Sequence, residues 1–262
     1  MPLLRADKVT HFFGGLCAVQ DFSLALERGE LVGIIGPNGA GKTTLFNLMT
    51  GVYRATKGSI AFRSPKVTGE AELIGKTPNQ ITALGIARTF QTIRLFNDLS
   101  VLDNVRIAHY TQAGYSPFEA LFHLGRYPKE EERIADHSMD LLAVFKVDGY
   151  ADELAKNLPY GLQRRLEVAR ALATQPTLLL LDEPAAGMNP AEIEQMMEFI
   201  QWTRKEFDLT ILLIEHQMRL VMGICERIKV LDFGATIAEG APEEIQHNPK
   251  VLEAYLGDEV IA

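Results

Sequence analysis

Cysteine and tryptophan are scarce in this chain of 262 residues, with two of the first and one of the second. Cys17 and Cys225 stand too far apart for a metal or redox spacing, which excludes a disulfide framework and a zinc knuckle. In a reducing compartment both are expected to serve as small apolar residues. Long hydrophobic runs are missing too. The longest, Thr177 to Leu181 and Leu209 to Ile214, fall far short of the roughly 20 apolar residues that cross a bilayer as a helix. The start, MPLLRADKVTHFFGG, turns charged at Arg5 and has no apolar core of a secretory signal, so the cytoplasm is the expected compartment. Basic residues are outnumbered, 26 Lys and Arg against 34 Asp and Glu, for a formal charge of −8. That balance argues against a nucleic-acid partner held by broad basic attraction. Internal repeats and low-complexity linkers are absent. What remains is 47% hydrophobic and 23% charged, enough for a sizeable core in one large domain or two intimate ones.

Hydrophobic periodicity divides the chain. Residues 3 to 30 alternate apolar and polar around Gly14-Gly15, which predicts antiparallel strands joined by a turn. ELVGIIG is a short β-branched run ending in Gly, as buried parallel strands end, and GKTTLFNLMTGVY continues as a helix with a Gly stop. Short strands GSIAF and GIARTF follow, separated by a polar stretch from Arg63 to Asn79 that reads as a surface excursion. From Ser100 to Arg170 the period becomes helical, with Ile134, Ser138, Leu141, Leu142 and Phe145 on one face. Strands and helices then alternate from residue 177 to 239, which favours a parallel sheet covered on both faces, and two short helices close the chain.

The strongest local signal is GPNGAGKTT. Gly36, Pro37, Asn38, Gly39, Ala40, Gly41, Lys42, Thr43 and Thr44 lie between the predicted strand and helix that a phosphate-binding loop needs. Its glycines let backbone N–H groups close around phosphate oxygens, and the helix directs its positive end at the same charge. Lys42 is expected to reach the outer phosphates, and the Thr43 hydroxyl to hold Mg²⁺. LLLLDEP is an apolar strand delivering two acids at its carboxyl end, where open α/β sheets place ligands. Asp182 is the candidate support for the metal and Glu183 the candidate for polarising an attacking water. ILLIEHQ repeats the arrangement one strand later and offers His216 to donate to the terminal phosphate or line up the water.

Together these pieces resemble the ATP-binding subunits of ABC transporters over nearly the whole chain. The resemblance implies a P-loop NTPase (ABC ATPase) α/β core over residues 1–92 and 174–262, with an N-terminal antiparallel β-subdomain and a helical subdomain inserted at about 93–173. In that family an aromatic before the phosphate loop stacks on adenine. HFFGG offers Phe13, directly before Gly14, with Phe12 as the alternative. RTFQ supplies Gln91, matching the glutamine that senses Mg²⁺ and the membrane partner, and so counted with both the catalytic and the metal-binding candidates. AAGMN, Ala185 to Asn189, matches the loop that crosses the dimer, with Asn189 where the family usually has Asp.

The family's signature loop, usually Leu-Ser-Gly-Gly-Gln, is written here Leu158-Pro159-Tyr160-Gly161-Leu162. It implies that Tyr160 and Gly161 contact, in trans, the ATP held by a second ABC ATPase subunit, as a homodimer or heterodimer. Pro159 offers neither hydroxyl nor N–H, and Leu162 lacks a glutamine amide, so the loop is weakened or specialised, or faces a non-hydrolysing site. The branch most resembled is the first ATPase subunit of bacterial branched-chain amino acid uptake systems. ATPases for urea, other amides or lipopolysaccharide export share part of the pattern, and a low-turnover regulatory subunit stays open. A soluble ABC ATPase of translation or DNA repair would usually carry two cassettes or a coiled-coil insert, and neither is present. The likeness implies ATP and Mg²⁺ as cofactors, two integral membrane permeases, an extracytoplasmic solute-binding protein, and a cytoplasmic position on the inner face of the membrane. Leu95, Phe96, Phe118, Leu121 and Phe122 are candidates for an apolar groove facing a permease helix, or else for the helical insert's own core.

Overall fold

The computed structural model describes residues 1–259. The chain forms two compact units, Met1–Gln91 together with the segment from Thr177 onward, and Thr92–Pro176 between them in sequence.

In the first unit, β1 (Leu4–Phe13) and β2 (Leu16–Leu26) pair antiparallel across a Gly14-Gly15 turn. Gly14 takes φ 58, the left-handed backbone that such a turn needs. β3 (Leu31–Ile35) is buried along its whole length, as the unbroken apolar run requires of a strand covered on both faces. It leads through the phosphate-loop sequence into α1 (Lys42–Met49). Next come β4 (Lys57–Phe62), β5 (Ala71–Glu72), α2 (Pro78–Leu84) and β6 (Ile86–Arg88). The polar stretch from Arg63 is thus not wholly an excursion. It contains β5, and Leu73, just after that strand, is fully buried in one core with Ile81 of α2. α2 starts on a capping box between Thr77 and Gln80, with Pro78 in its first turn.

The second unit is helical, with α3 (Val101–His109), α4 (Pro117–Phe122), α5 (Tyr127–Val144) and α6 (Tyr160–Leu172). The periodic face of α5 points inward: Ile134, Ser138 and Leu142 are buried, as is Phe145 just beyond, while Leu141 is half-buried. Ser138 fits that apolar face because its hydroxyl donates to the Ile134 carbonyl one turn back, 2.6 Å away.

The chain then returns to the first unit with β7 (Leu178–Asp182), α7 (Pro190–Glu206), β8 (Thr210–Ile214), α8 (Met218–Ile224), β9 (Arg227–Asp232), β10 (Ala235–Gly240), α9 (Pro242–Gln246) and α10 (Pro249–Glu259). Its strands assemble as a six-stranded sheet in the order β10-β9-β3-β8-β7-β6. The pairings of β9, β3, β8, β7 and β6 are parallel. β10 departs from the expected parallel run, turning back on β9 as an antiparallel hairpin at the sheet edge. A second sheet, β2-β1-β4-β5, carries the N-terminal strands, and Phe22, Phe62, Phe46 and Met49 lie in one core with β3 and α1.

This strand order sets up the chemistry. Because β3, β8, β7 and β6 are parallel neighbours, their carboxyl ends open on one edge, and the segments that follow them emerge side by side.

Candidate functional site

The phosphate-loop residues follow β3 directly. Gly41, the residue before α1, has φ 98, and a Cβ there would collide with the carbonyl oxygen of Ala18 in β2. Gly36 is equally confined, since a Cβ would strike the Leu231 carbonyl of β9. Glycine at these points lets the loop pass between two strands. The Lys42 ammonium curls over the loop and donates to the Gly36 and Pro37 carbonyls at 2.6 and 2.8 Å. Asn38, Gly39 and Thr43 are exposed, Thr44 is half-buried, and Pro37 and Ala40 are buried.

At the ends of the neighbouring strands, Gln91, Glu183 and His216 meet. Gln91 Nε2 donates to Glu183 Oε2 at 2.7 Å, and His216 Nδ1 lies 3.4 Å from the same oxygen. Glu183 holds φ 47, a strained backbone for a side chain with a Cβ, fixed by its amide donating to the Ile214 carbonyl at 2.8 Å. Asp182, one residue earlier, points instead into a buried ion pair. Arg88 Nη2 lies 2.6 Å from Asp182 Oδ2, with 7% and 6% of the two side chains exposed. The other Arg88 nitrogen donates to Asn47 Oδ1 of α1 at 2.7 Å, and the guanidinium packs over the rings of Phe46 and Phe90 at 5.5 and 5.1 Å.

A cavity of about 550 Å³ opens beside the loop, lined by its residues Asn38 to Thr44, by Glu183, and by Phe13, Leu16, Cys17, Ala18 and Phe233, while Asp182, Gln91 and His216 stand outside that lining. That size and mixed lining are typical of a small-molecule site. One end is polar backbone and ammonium, the other apolar. Phe13 lines the cavity and Phe12 does not, as strand alternation requires of neighbours in β1. Phe13 is propped edge-on by His11 at 4.6 Å and Tyr53 at 5.2 Å.

Several contributors escape a sequence reading. Arg88 stands three residues before Gln91 on β6, and its partner is found only across the sheet. Glu215 is fully buried at the end of β8 and accepts three backbone N–H bonds, from Ala185 at 2.7 Å, His216 at 2.8 Å and Gln217 at 3.0 Å. It ties the loop after Glu183 to the loop carrying His216. Further along, Asn189 accepts from the Ala191 and Glu192 amides while Glu192 accepts from the Asn189 amide, a complete capping box for α7. An acceptor is all that this cap needs, and asparagine supplies it without the charge.

In the helical unit the altered signature loop heads α6. Pro159 is the cap residue, with no side-chain hydrogen bond, and its carbonyl accepts from Leu162 and Gln163 at 2.9 and 3.0 Å. Tyr160, 53% exposed, and the exposed Gly161 thus occupy the first turn. Phe96, Phe118, Leu121 and Phe122 are exposed, so they are not the insert's core, and Leu95 is half-buried. Phe96 lies under the Arg170 guanidinium at 5.4 Å, and Phe118 touches Phe122 at 4.7 Å.

The family profile of the ABC transporter matches residues 19–186, and that of the branched-chain amino acid ATP-binding cassette transporter matches residues 235–261. Among relatives, the high-affinity branched-chain amino acid transport ATP-binding protein LivG of Salmonella typhimurium is 44% identical over 98% of each chain. BraF of Pseudomonas aeruginosa, bearing the same description, is 40% identical over 98% of each. The solved ADP conformation of MJ1267, an ATP-binding cassette of an ABC transporter, superposes with a TM-score of 0.81 at 31% identity, over 98% of this chain and 99% of that one. The nucleotide-binding fold, the phosphate loop and these full-length likenesses lead to one assignment: the chain belongs to the ABC transporter family, among its ATP-binding subunits.

Proposed function

We infer that this chain hydrolyses ATP to power uptake of branched-chain amino acids through two membrane permeases, served by an extracytoplasmic binding protein. The observation that carries the reading is the placement of Glu183, whose carboxylate lines the phosphate-loop cavity while Gln91 and His216 grip one of its oxygens. Gln91 and His216 aim the Glu183 carboxylate. It takes a proton from a water held in line with the terminal phosphate, while the loop amides and Lys42 stabilise the charge that develops there. The bond from the Glu183 amide to the Ile214 carbonyl holds the strained backbone in place and with it the direction of the side chain.

Magnesium suits the donors present. Among the described residues no three His, Cys, Asp or Glu side chains gather as a metal cage. The exposed Thr43 hydroxyl lines the cavity and is a hard oxygen donor, which fits a small cation that keeps its waters and shares the nucleotide's phosphates; Asp182, engaged by Arg88, would join it only by loosening that ion pair. When bound, the cation neutralises charge on the transferred group. Tyr160 and Gly161, in the open first turn of α6, supply the contact to nucleotide held by a second ATPase subunit, largely through backbone and helix polarity. No helix of the described residues is long and apolar enough to cross a membrane; the relatives' description as transport ATP-binding proteins supports permeases holding the subunit at the inner face. Phe96, Phe118, Leu121 and Phe122 are the surface offered to them.

The test is Glu183→Gln in the assembled transporter. ATP turnover falls by about 10²- to 10⁴-fold, the range for a lost general base, while ATP affinity holds and leucine no longer stimulates hydrolysis in proteoliposomes. Unchanged turnover refutes the role of Glu183. Stimulation of the parent complex by another solute class, with none by leucine, isoleucine or valine, refutes the substrate.

A further inference from the structure

Phe233 makes two conformational concessions that the fold itself does not explain. It is a phenylalanine with 86% of its surface exposed, and it holds φ 42, a left-handed backbone that bulky residues avoid. It forms, with Gly234 at φ 81, the two-residue turn between β9 and β10. Turns of this kind favour Asn-Gly, because both central residues need positive φ. An asparagine would suit both the backbone and the solvent better than a phenyl ring.

The turn is also firmly fixed. The Gly234 amide donates to the Ala40 carbonyl of the phosphate loop at 3.1 Å, and the Gly234 carbonyl accepts from the Gln20 amide of β2 at 2.8 Å. A Cβ on Gly234 would press on the Ala18 carbonyl at 2.9 Å, so the turn sits flush against β2. The backbone that carries Phe233 is thus fixed beside the phosphate loop, and its side chain lines the cavity. Phe13 and Leu16, 42% and 67% exposed, form the rest of the cavity's apolar end.

We propose that Phe233 is a nucleotide-binding residue that packs against the base–ribose half of the bound nucleoside triphosphate, opposite in character to the phosphate loop and complementary to Phe13. The inference rests on the ATP-site reading above. A ligand with a planar apolar end and an anionic tail matches a cavity with an aromatic end and an amide-lined end, and covering the ring removes the exposure that the turn otherwise leaves.

The experiment compares ATP and inorganic tripolyphosphate binding by calorimetry for the parent chain, Phe233→Asn, Phe233→Tyr and Lys42→Ala. Phe233→Asn weakens ATP about tenfold, in line with loss of one aromatic–base contact, and leaves tripolyphosphate unchanged. Its melting temperature stays equal or rises, since asparagine prefers the turn. Phe233→Tyr keeps ATP affinity within about twofold, because the ring is retained. If Phe233→Asn binds ATP as the parent does while Lys42→Ala loses both ligands, Phe233 has no such role and the nucleotide site stands. If Lys42→Ala changes neither ligand, the nucleotide reading of the cavity itself falls. Equal weakening of ATP and tripolyphosphate by Phe233→Asn also overturns the proposal, because it reports a distorted phosphate loop.

Discussion

Replacing Arg88 by methionine strands the Asp182 carboxylate in a site where 6% of its side chain meets solvent. Breaking a buried ion pair by removing one partner costs about 3–5 kcal/mol, because the remaining charge keeps its desolvation penalty and loses its counter-charge. The same change also removes the hydrogen bond to Asn47 and the stacking over Phe46 and Phe90, while the methionine stem keeps part of the packing. Unfolding followed by circular dichroism in urea should therefore show Arg88→Met losing about 4 kcal/mol. At roughly 2–4 °C per kcal/mol for a domain of this size, the melting temperature falls by about 10 °C. Asp182→Asn alone costs less, about 2 kcal/mol, since the amide oxygen still accepts from the guanidinium. Combining Arg88→Met with Asp182→Leu removes both charges and should cost at least about 2 kcal/mol less than the sum of Arg88→Met and Asp182→Leu made separately. Strict additivity, or a loss below about 1 kcal/mol for Arg88→Met, would show that the pair is not the buried, coupled unit described and would refute the argument.

Three further outcomes follow from the same geometry. Glu215→Gln turns an amide N–H toward the donors Ala185, His216 or Gln217. It should lower ATP turnover more than about tenfold by loosening the loops that carry Glu183 and His216, with ATP affinity held within about threefold; unaltered turnover sinks the bracing role. Burial, reinforced by the charge of Glu226, pushes the Cys225 thiol up to about 12, whereas half-buried Cys17 lines the cavity. A maleimide should therefore label Cys17 alone in the native protein, and ATP should slow that labelling; reaction at Cys225 before unfolding contradicts this. His109 is buried, and burial first, then His137 and Arg133, lower its pKa to about 4. Its folded pKa lies below the unfolded value near 6.5, so the unfolded chain binds more protons as pH falls from about 6.5 to 4, and stability drops across that window. His109→Gln should flatten this acid limb in pH-dependent urea titrations, and an unchanged slope counts against it.

The sequence carries its meaning unevenly. The phosphate loop is legible because its function is written in consecutive letters, and Asp182, Glu183 and His216 are legible because apolar strands run directly into them. Arg88 and Glu215 are not: Asp182, the partner of Arg88, and Ala185, one of the three amides that Glu215 accepts from, lie at separations that only strand order brings together. Leu73 is hidden because the few apolar letters around it, Val67, Ala71 and Ile74, show no strand or helix period, and β10 because a half-exposed hairpin at a sheet edge has no buried run. Phe233 reads as an ordinary hairpin residue until its backbone angle and its address beside the loop are known. In the helical insert, periodicity found the inward face of α5 but could not say which aromatic residues of the connecting segments stay outside.

The cavity wall is assembled from residues 13, 16–18, 38–44, 183 and 233, so its pieces leave the ribosome far apart in time. β3 gains its neighbours β8 and β9 only after the helical insert has been made. A nascent chain halted before the β9–β10 turn carries the whole phosphate loop in its sequence, yet lacks the clasp from Gly234 to Ala40. Such a chain also lacks Phe233, so the cavity wall closes only when the first-made and last-made thirds of the polypeptide meet.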